Sequence, residues 1–91
     1  MEKEITKYIQ RIQEKHPDAV ILFRRCNDSY VMLGKDAYIA KSVLSLPVNP
    51  LTIIGGKSFH SASFLFSELD TYLTKFIRAG FRVAICELPN V

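Results

Sequence analysis

Ninety-one residues accommodate one domain, and a chain of that size buries about 60–65% of its unfolded surface, enough for one modest core. Hydrophobic residues make up 48% and charged residues 23%, with six Phe and four Tyr, a composition that excludes a disordered chain. A net charge of +3 admits an acidic partner such as nucleic acid without requiring one.

The opening Met1-Glu2-Lys3-Glu4 is too charged to start a signal peptide. From Glu2 to His16, Ile5, Tyr8, Ile9 and Ile12 recur at the spacing of a single helical stripe, which predicts an amphipathic helix. Pro17 stops it by pushing the preceding residue out of the α region. The uninterrupted run Ala19-Val20-Ile21-Leu22-Phe23 reads as a strand covered on both faces. It is also the longest strictly aliphatic or aromatic run, far short of the ~20 residues that cross a bilayer. Cys26-Asn27-Asp28-Ser29 is turn chemistry, and Tyr30 to Leu33 supplies a second strand, so a hairpin is expected.

Gly34 ends that strand. Lys35 to Leu44 then forms a short helix burying Ile39, Ala40, Val43 and Leu44. Pro47 and Pro50 bracket an extended connection into a third strand, Leu51 to Ile54, stopped by Gly55-Gly56. A long helix is expected from about Ser61, with Leu65, Leu69, Tyr72, Leu73, Phe76 and Ile77 on one side. Lys75 and Arg78 suit its C-terminal dipole, and Gly80 suits the left-handed position beyond it. Phe81, Val83 and Ile85 alternate with Arg82, Ala84 and Cys86 in a fourth strand, expected to lie inside the sheet. The fold class is therefore α+β: a small four-stranded mixed sheet with packed helices, in the order αββαβαβ.

Catalytic constellations are weak. His16, His60, Cys26 and Cys86 lack metal-ligand spacing, so no metal is expected. The two cysteines are read as free thiols of a cytoplasmic protein. Ser58, His60 and Ser61 are sequence neighbours without a nucleophile elbow, which is not how triads are built. Gly55-Gly56-Lys57-Ser58 lacks the first glycine of a phosphate loop, yet it places Lys57 and backbone amides at a turn where an anion can sit. Lys3, Lys7, Arg11 and Lys15 form a stripe partly neutralised by Glu2, Glu4 and Glu14, and are read as a solvated face. Arg24-Arg25 stand beside the hairpin turn. Alternation sends at least one of them to the surface, where a guanidinium fork fits phosphate. The chain is expected to act by binding, with no enzyme activity and no cofactor.

Several strings then add up to a likeness. His16-Pro17-Asp18 leads into the apolar run and Phe23-Arg24, followed at matching spacing by Asp28-x-Tyr30 and Gly34-x-Asp36-Ala37. Gly56-x-x-Phe59-His60 resembles a Gly-Val-Pro-Tyr-His signature. Tyr72-Leu73-x-Lys75, Gly80 and Val83-Ala84-Ile85-Cys86-Glu87 complete it. Together these resemble the N-terminal, mismatch-recognition domain of the MutS family, from the first helix to Glu87.

The resemblance implies a module that faces duplex DNA. In that family a Gly-Asp-Phe-Tyr-Glu segment reads the lesion: its Phe wedges against the mispaired base and its Glu hydrogen-bonds it. Aligned on Asp28 and Tyr30, the Phe position is Ser29 and the Glu position is Val31, with Asn27 in place of the Gly. Serine offers no apolar wedge and valine no hydrogen bond to a base edge. About seven extra residues separate His60 from Tyr72. Family members continue into connector, lever, clamp and ATPase domains, so residues 1–91 are expected to form a single free-standing copy of the first domain. The expected function is contact with the duplex backbone without mismatch selectivity. Arg24, Arg25 and Lys57 would touch phosphates, and Ser29, Tyr30 and Val31 would mark the former reading edge. The alternative is a protein-interaction module that keeps the fold without DNA. Phe64, Leu65 and Phe66, which one helix face cannot bury together, would serve self-association or a partner chain.

Overall fold

The computed structural model describes residues 2–25 and 28–88, so the expectations for Cys26 and Asn27 lie outside the described residues. The order is α1 (Glu2–Lys15), β1 (Ala19–Arg25), β2 (Ser29–Leu33), α2 (Lys35–Leu44), β3 (Asn49–Ile54), β4 (Lys57–Leu65), a 3-10 turn (Phe66–Glu68), α3 (Leu69–Arg78) and β5 (Arg82–Glu87). The α+β class and the mixed sheet stand as expected. Among the described residues the sheet has five strands, not four, ordered β3-β4-β2-β1-β5, with only the β1–β5 pair parallel.

Two clusters make the core, and β1 belongs to both because its side chains alternate across the sheet. Val20 and Leu22 join Met32, Ala37, Ala40, Ala62 and Phe76 under α2 and α3. Ile21 and Phe23 join Ile5, Ile9, Val31 and Leu33 under α1. The chain thus stacks in three layers, with one helix on one face of the sheet and two on the other. No helix among the described residues is long and apolar enough to cross a membrane.

The added strand corrects the helix expected from Ser61. Residues Lys57 to Leu65 are extended, and α3 begins only at Leu69. Tertiary pairing outweighs the helical spacing here, because β2 would otherwise expose an unpaired edge. Ser61 to Leu65 alternates in strand fashion: Ala62 and Phe64 enter the core beneath α2 and α3, and Ser61 and Ser63 take the other face. Gly55 and Gly56, with φ of 60° and 78°, both take the left-handed region, which is what a two-residue hairpin turn between β3 and β4 requires. The three adjacent apolar residues therefore do not share a helix. Phe64 is buried, Phe66 is half-buried against Tyr30, and Leu65 alone is exposed.

A second correction concerns β5. It pairs with β1 but lies at the sheet's edge, with Val83 half-buried and Ile85 exposed. The connection from β4 through α3 returns the chain to the free side of β1, since β2 already occupies the other side.

Where β2 turns away at Gly34, the ladder beside β1 is completed by a side chain. Asp36, 2% exposed, accepts the Ile21 N–H through Oδ2 at 3.1 Å, and Lys35 Nζ lies 3.4 Å from its Oδ1. Burial raises its pKa above the ordinary 3.8, opposed by the Ile21 hydrogen bond and then by Lys35. Removing the acceptor in Asp36→Ala leaves a buried N–H unpaired and is expected to cost about 1–3 kcal/mol. Melting should then fall by about 4–8 °C per kcal/mol for a domain of this size. Asp36→Asn keeps an acceptor. Because the folded state disfavours ionised Asp36, this group's penalty is absent below pH 3.8 and grows as pH rises through the higher folded pKa. The Asn variant should lose that decline, visible as a flatter melting-temperature profile as pH rises above 3.8.

Candidate functional site

The end of the β1–β2 hairpin is held by main-chain bonds. The Asp28 N–H donates to the Arg25 carbonyl at 3.4 Å, and the Phe66 N–H donates to the Asp28 carbonyl at 2.9 Å. Register pairs Arg25 with Ser29, Arg24 with Tyr30 and Phe23 with Val31. Alternation then divides the five hairpin residues among the six singled out from the sequence. Arg25, Ser29 and Val31 fall on the α1 side of the sheet, and Arg24 and Tyr30 on the α2–α3 side.

On the α1 side these three line an open groove of about 320 Å³. Its other walls are Pro47, Val48 and Asn49 from the approach to β3, Thr52 of β3, and Ser61, Ala62 and Ser63 of β4. Val31, 2% exposed, forms part of the floor. The Thr52 and Ser61 hydroxyls bond each other at 2.6 Å, and Asn49 Oδ1 accepts the Leu51 N–H at 3.0 Å. Among the described residues the lining holds one cation, Arg25, and no acid. Arg25 takes part in none of the ion pairs among the described residues. A half-buried guanidinium among hydroxyls and an amide is suited to oxygen-rich anions.

Arg24 is differently placed. Its guanidinium lies 4.8 Å from the centre of the Phe66 ring, and Nη1 lies 3.6 Å from Glu87 Oε1. Tyr30 is buried beneath it, its ring 4.7 Å from Phe66 and 5.7 Å from Phe64, with Tyr72 a further 4.9 Å from Phe64. This aromatic row faces away from the groove. Lys57 sits at the opposite end of the sheet, eight residues before Leu65, the β4 partner of Ser29. At strand rise that is about 26 Å. Its Nζ lies 5.3 Å from the Phe59 ring centre. Arg24, Arg25 and Lys57 do not converge on one surface.

Asn49, Thr52 and Ser63 were not among the residues singled out from the sequence, and Ser61 was weighed there only as a nucleophile and as a helix start. The period-two pattern of Ser61-Ala62-Ser63-Phe64 was the available signal, masked by the helical spacing that begins at Leu65. Elsewhere, Lys7, Arg11 and Lys15 are exposed on α1. Burial pushes the Cys86 thiol up despite nearby Lys15, which favours the inert protonated form. Among the described residues no three His, Cys, Asp or Glu side chains gather as a metal site.

Comparison with known proteins supplies a family. The family described as MutS domain I matches residues 3–90. The DNA mismatch repair protein MutS of Phocaeicola vulgatus is 43% identical over 81 residues, covering 89% of this chain and 9% of that protein. The proteins of the same name from Bacteroides thetaiotaomicron and Bacteroides fragilis are 46% and 47% identical over 76 residues, each covering 84% of this chain and 9% of the relative. The chain therefore spans about a tenth of the length of these relatives.

The placement of Tyr30 makes a clear expectation. Tyr30→Ala empties the centre of the aromatic row and should cost about 3–5 kcal/mol, read by urea denaturation. Glu87→Ala, which frees the exposed Arg24 pair, should cost less than about 1 kcal/mol.

Proposed function

The chain belongs to the MutS domain I family, and from that premise we propose that it is a DNA-binding module contacting the duplex backbone through Arg25 and its hydroxyl-lined groove, without selecting mismatches. The observation that carries this reading is the register that puts Arg25, Ser29 and Val31 into one groove. In the family those last two positions hold the wedge and the base reader. Here a serine stands at the rim and a valine in the floor, beside a cation that joins no ion pair among the described residues. Phosphate contacts of this kind position a protein without specifying sequence. The module works by binding, and its reading edge is Ser29 and Val31; Tyr30, buried on the opposite face, is no part of it.

A second reading, a protein-interaction module without DNA binding, draws support from the scattered cations. Arg24 is engaged by Glu87 and Phe66, and Lys57 is at the far end of the sheet. Salt dependence and mismatch response separate the two. One strong phosphate contact gives a log–log salt slope near −0.9, or about 3–4-fold weaker binding between 50 and 200 mM salt. Fluorescence anisotropy with matched and G·T-mismatched duplexes should show equal, weak affinities, abolished by Arg25→Ala. A preference for the mismatch would refute the backbone reading. Absence of binding to both duplexes at low salt would leave the protein-interaction reading standing.

The groove also dictates which restoration can work. Val31→Glu would place a carboxylate at a position 2% exposed and should destabilise the fold by several kcal/mol. Ser29→Phe puts a ring at the half-buried rim instead. It is expected to fold normally and to gain a measurable preference for the G·T duplex in the same assay.

A further inference from the structure

A surface remote from the groove has a separate chemistry. Edge strand β3 exposes Leu51 at 66% and Ile53 at 54%, and Tyr38 on α2 is 49% exposed. Thr52 bonds Ser61 on the groove side of the sheet, so alternation sends Leu51 and Ile53 to the opposite face, the one that carries α2. Register sets Thr52 against Phe59 and Asn49 against Ser61, so Leu51 lies level with His60 between them. His60 in turn binds the Tyr38 hydroxyl through Nδ1 at 2.5 Å. Leu51, Ile53, His60 and Tyr38 thus make one apolar strip from the sheet edge to the helix.

The backbone there is open over a short stretch. A two-residue turn makes Ile54 and Lys57 the closing hydrogen-bonded pair and Thr52 and Phe59 the next, so the N–H and C=O of Ile53 point outward. Higher up, Pro50 has no N–H and the Leu51 N–H is taken by Asn49. Cations border this edge from both faces: Lys35 and Lys41 stand three residues either side of Tyr38 on α2, and Lys57 lies over the Phe59 ring on the other face. From Lys35 to Leu65 the ionised side chains are Lys35, Lys41, Lys57 and Asp36, and Asp36 is buried. A second copy of this chain would bring the same lysines face to face, whereas an acidic segment would be attracted.

We propose that this strip docks an extended, acidic peptide segment of a partner protein. The segment adds alongside Ile53, seats alternate apolar side chains on Leu51, Ile53 and Tyr38, and turns the carboxylates between them to the opposite face of the edge, where Lys57 lies over the Phe59 ring. Strand addition of this kind takes affinity from the backbone and specificity from alternate side chains. The proposal does not rest on DNA binding by the groove, which lies on the other face.

The probe is a fluorescein-labelled peptide of about ten residues alternating valine and glutamate, with a valine–lysine peptide as its counterpart. The glutamate peptide should bind, shift the amide resonances of Leu51, Ile53, Ser58 and His60, and weaken as salt rises. The lysine peptide should not bind. Leu51→Ser and Ile53→Thr, both at exposed positions, should leave melting unchanged and weaken peptide binding about tenfold each, or ~1.4 kcal/mol. Arg25→Ala should leave peptide binding intact, so failure here and failure of the DNA reading are separable. Three outcomes overturn the proposal: no binding of the glutamate peptide, binding indifferent to Leu51 and Ile53, or a dimer in sedimentation that Ile53→Thr dissociates. Loss of duplex binding in the Leu51 and Ile53 variants, with no peptide bound, would assign the strip to nucleic acid.

Discussion

Strand β1 is apolar at every position from Ala19 to Phe23, and all five side chains are buried. A strand of that kind cannot leave either face to water, since each large side chain contributes roughly 1.5–3 kcal/mol only when covered. It therefore demands helices on both sides of the sheet and a neighbour along each edge. Helix α1 and the α2–α3 pair answer the first demand, and β2 and β5 the second. Where β2 ends too soon to cover Ile21, a carboxylate from the next helix stands in for the missing acceptor. The buried strand thus explains the three layers, the edge position of β5 and the burial of Asp36.

The same strand positions the candidate functional surface. Burial ends at Phe23, and the two arginines that follow emerge on opposite faces as the hairpin turns. One is absorbed by the aromatic row of Tyr30, Phe64 and Phe66 and by Glu87. The other looks across the part of the sheet where β2, β4 and β3 present serines and a threonine instead of large apolar groups. The groove is therefore made by small side chains where large ones would close it. Adjacent arginines of identical chemistry acquire different roles from the two-residue period of a strand alone.

Charge follows this division. The cations are dispersed over two faces and two ends of the sheet, so the basic balance of +3 does not concentrate into one strong field. A family member whose groove offers, among the described residues, one guanidinium outside the ion pairs is suited to modest electrostatic contact. The lysine-bordered apolar strip at the opposite corner is a second surface with its own ligand chemistry, and the sheet separates the two.

Much of this protein was legible in the linear order of its residues. The doubly covered β1 followed from five consecutive apolar residues, and α1 from its stripe of Ile5, Ile9 and Ile12. The hairpin followed from turn residues between apolar runs, and the family from strings such as Val83-Ala84-Ile85-Cys86-Glu87. These are local signals, and short-range physics is enough to read them. Tertiary structure decided what depends on distant partners. Ser61 to Leu65 carries both a strand's alternation and the start of a helix's spacing, and the open edge of β2 selected the strand. That choice put Ser61 and Ser63 into the groove, carried Lys57 away from the arginines and placed β5 at the edge. Periodicity records which side chains share a face of an element; only the assembled sheet determines what that face meets.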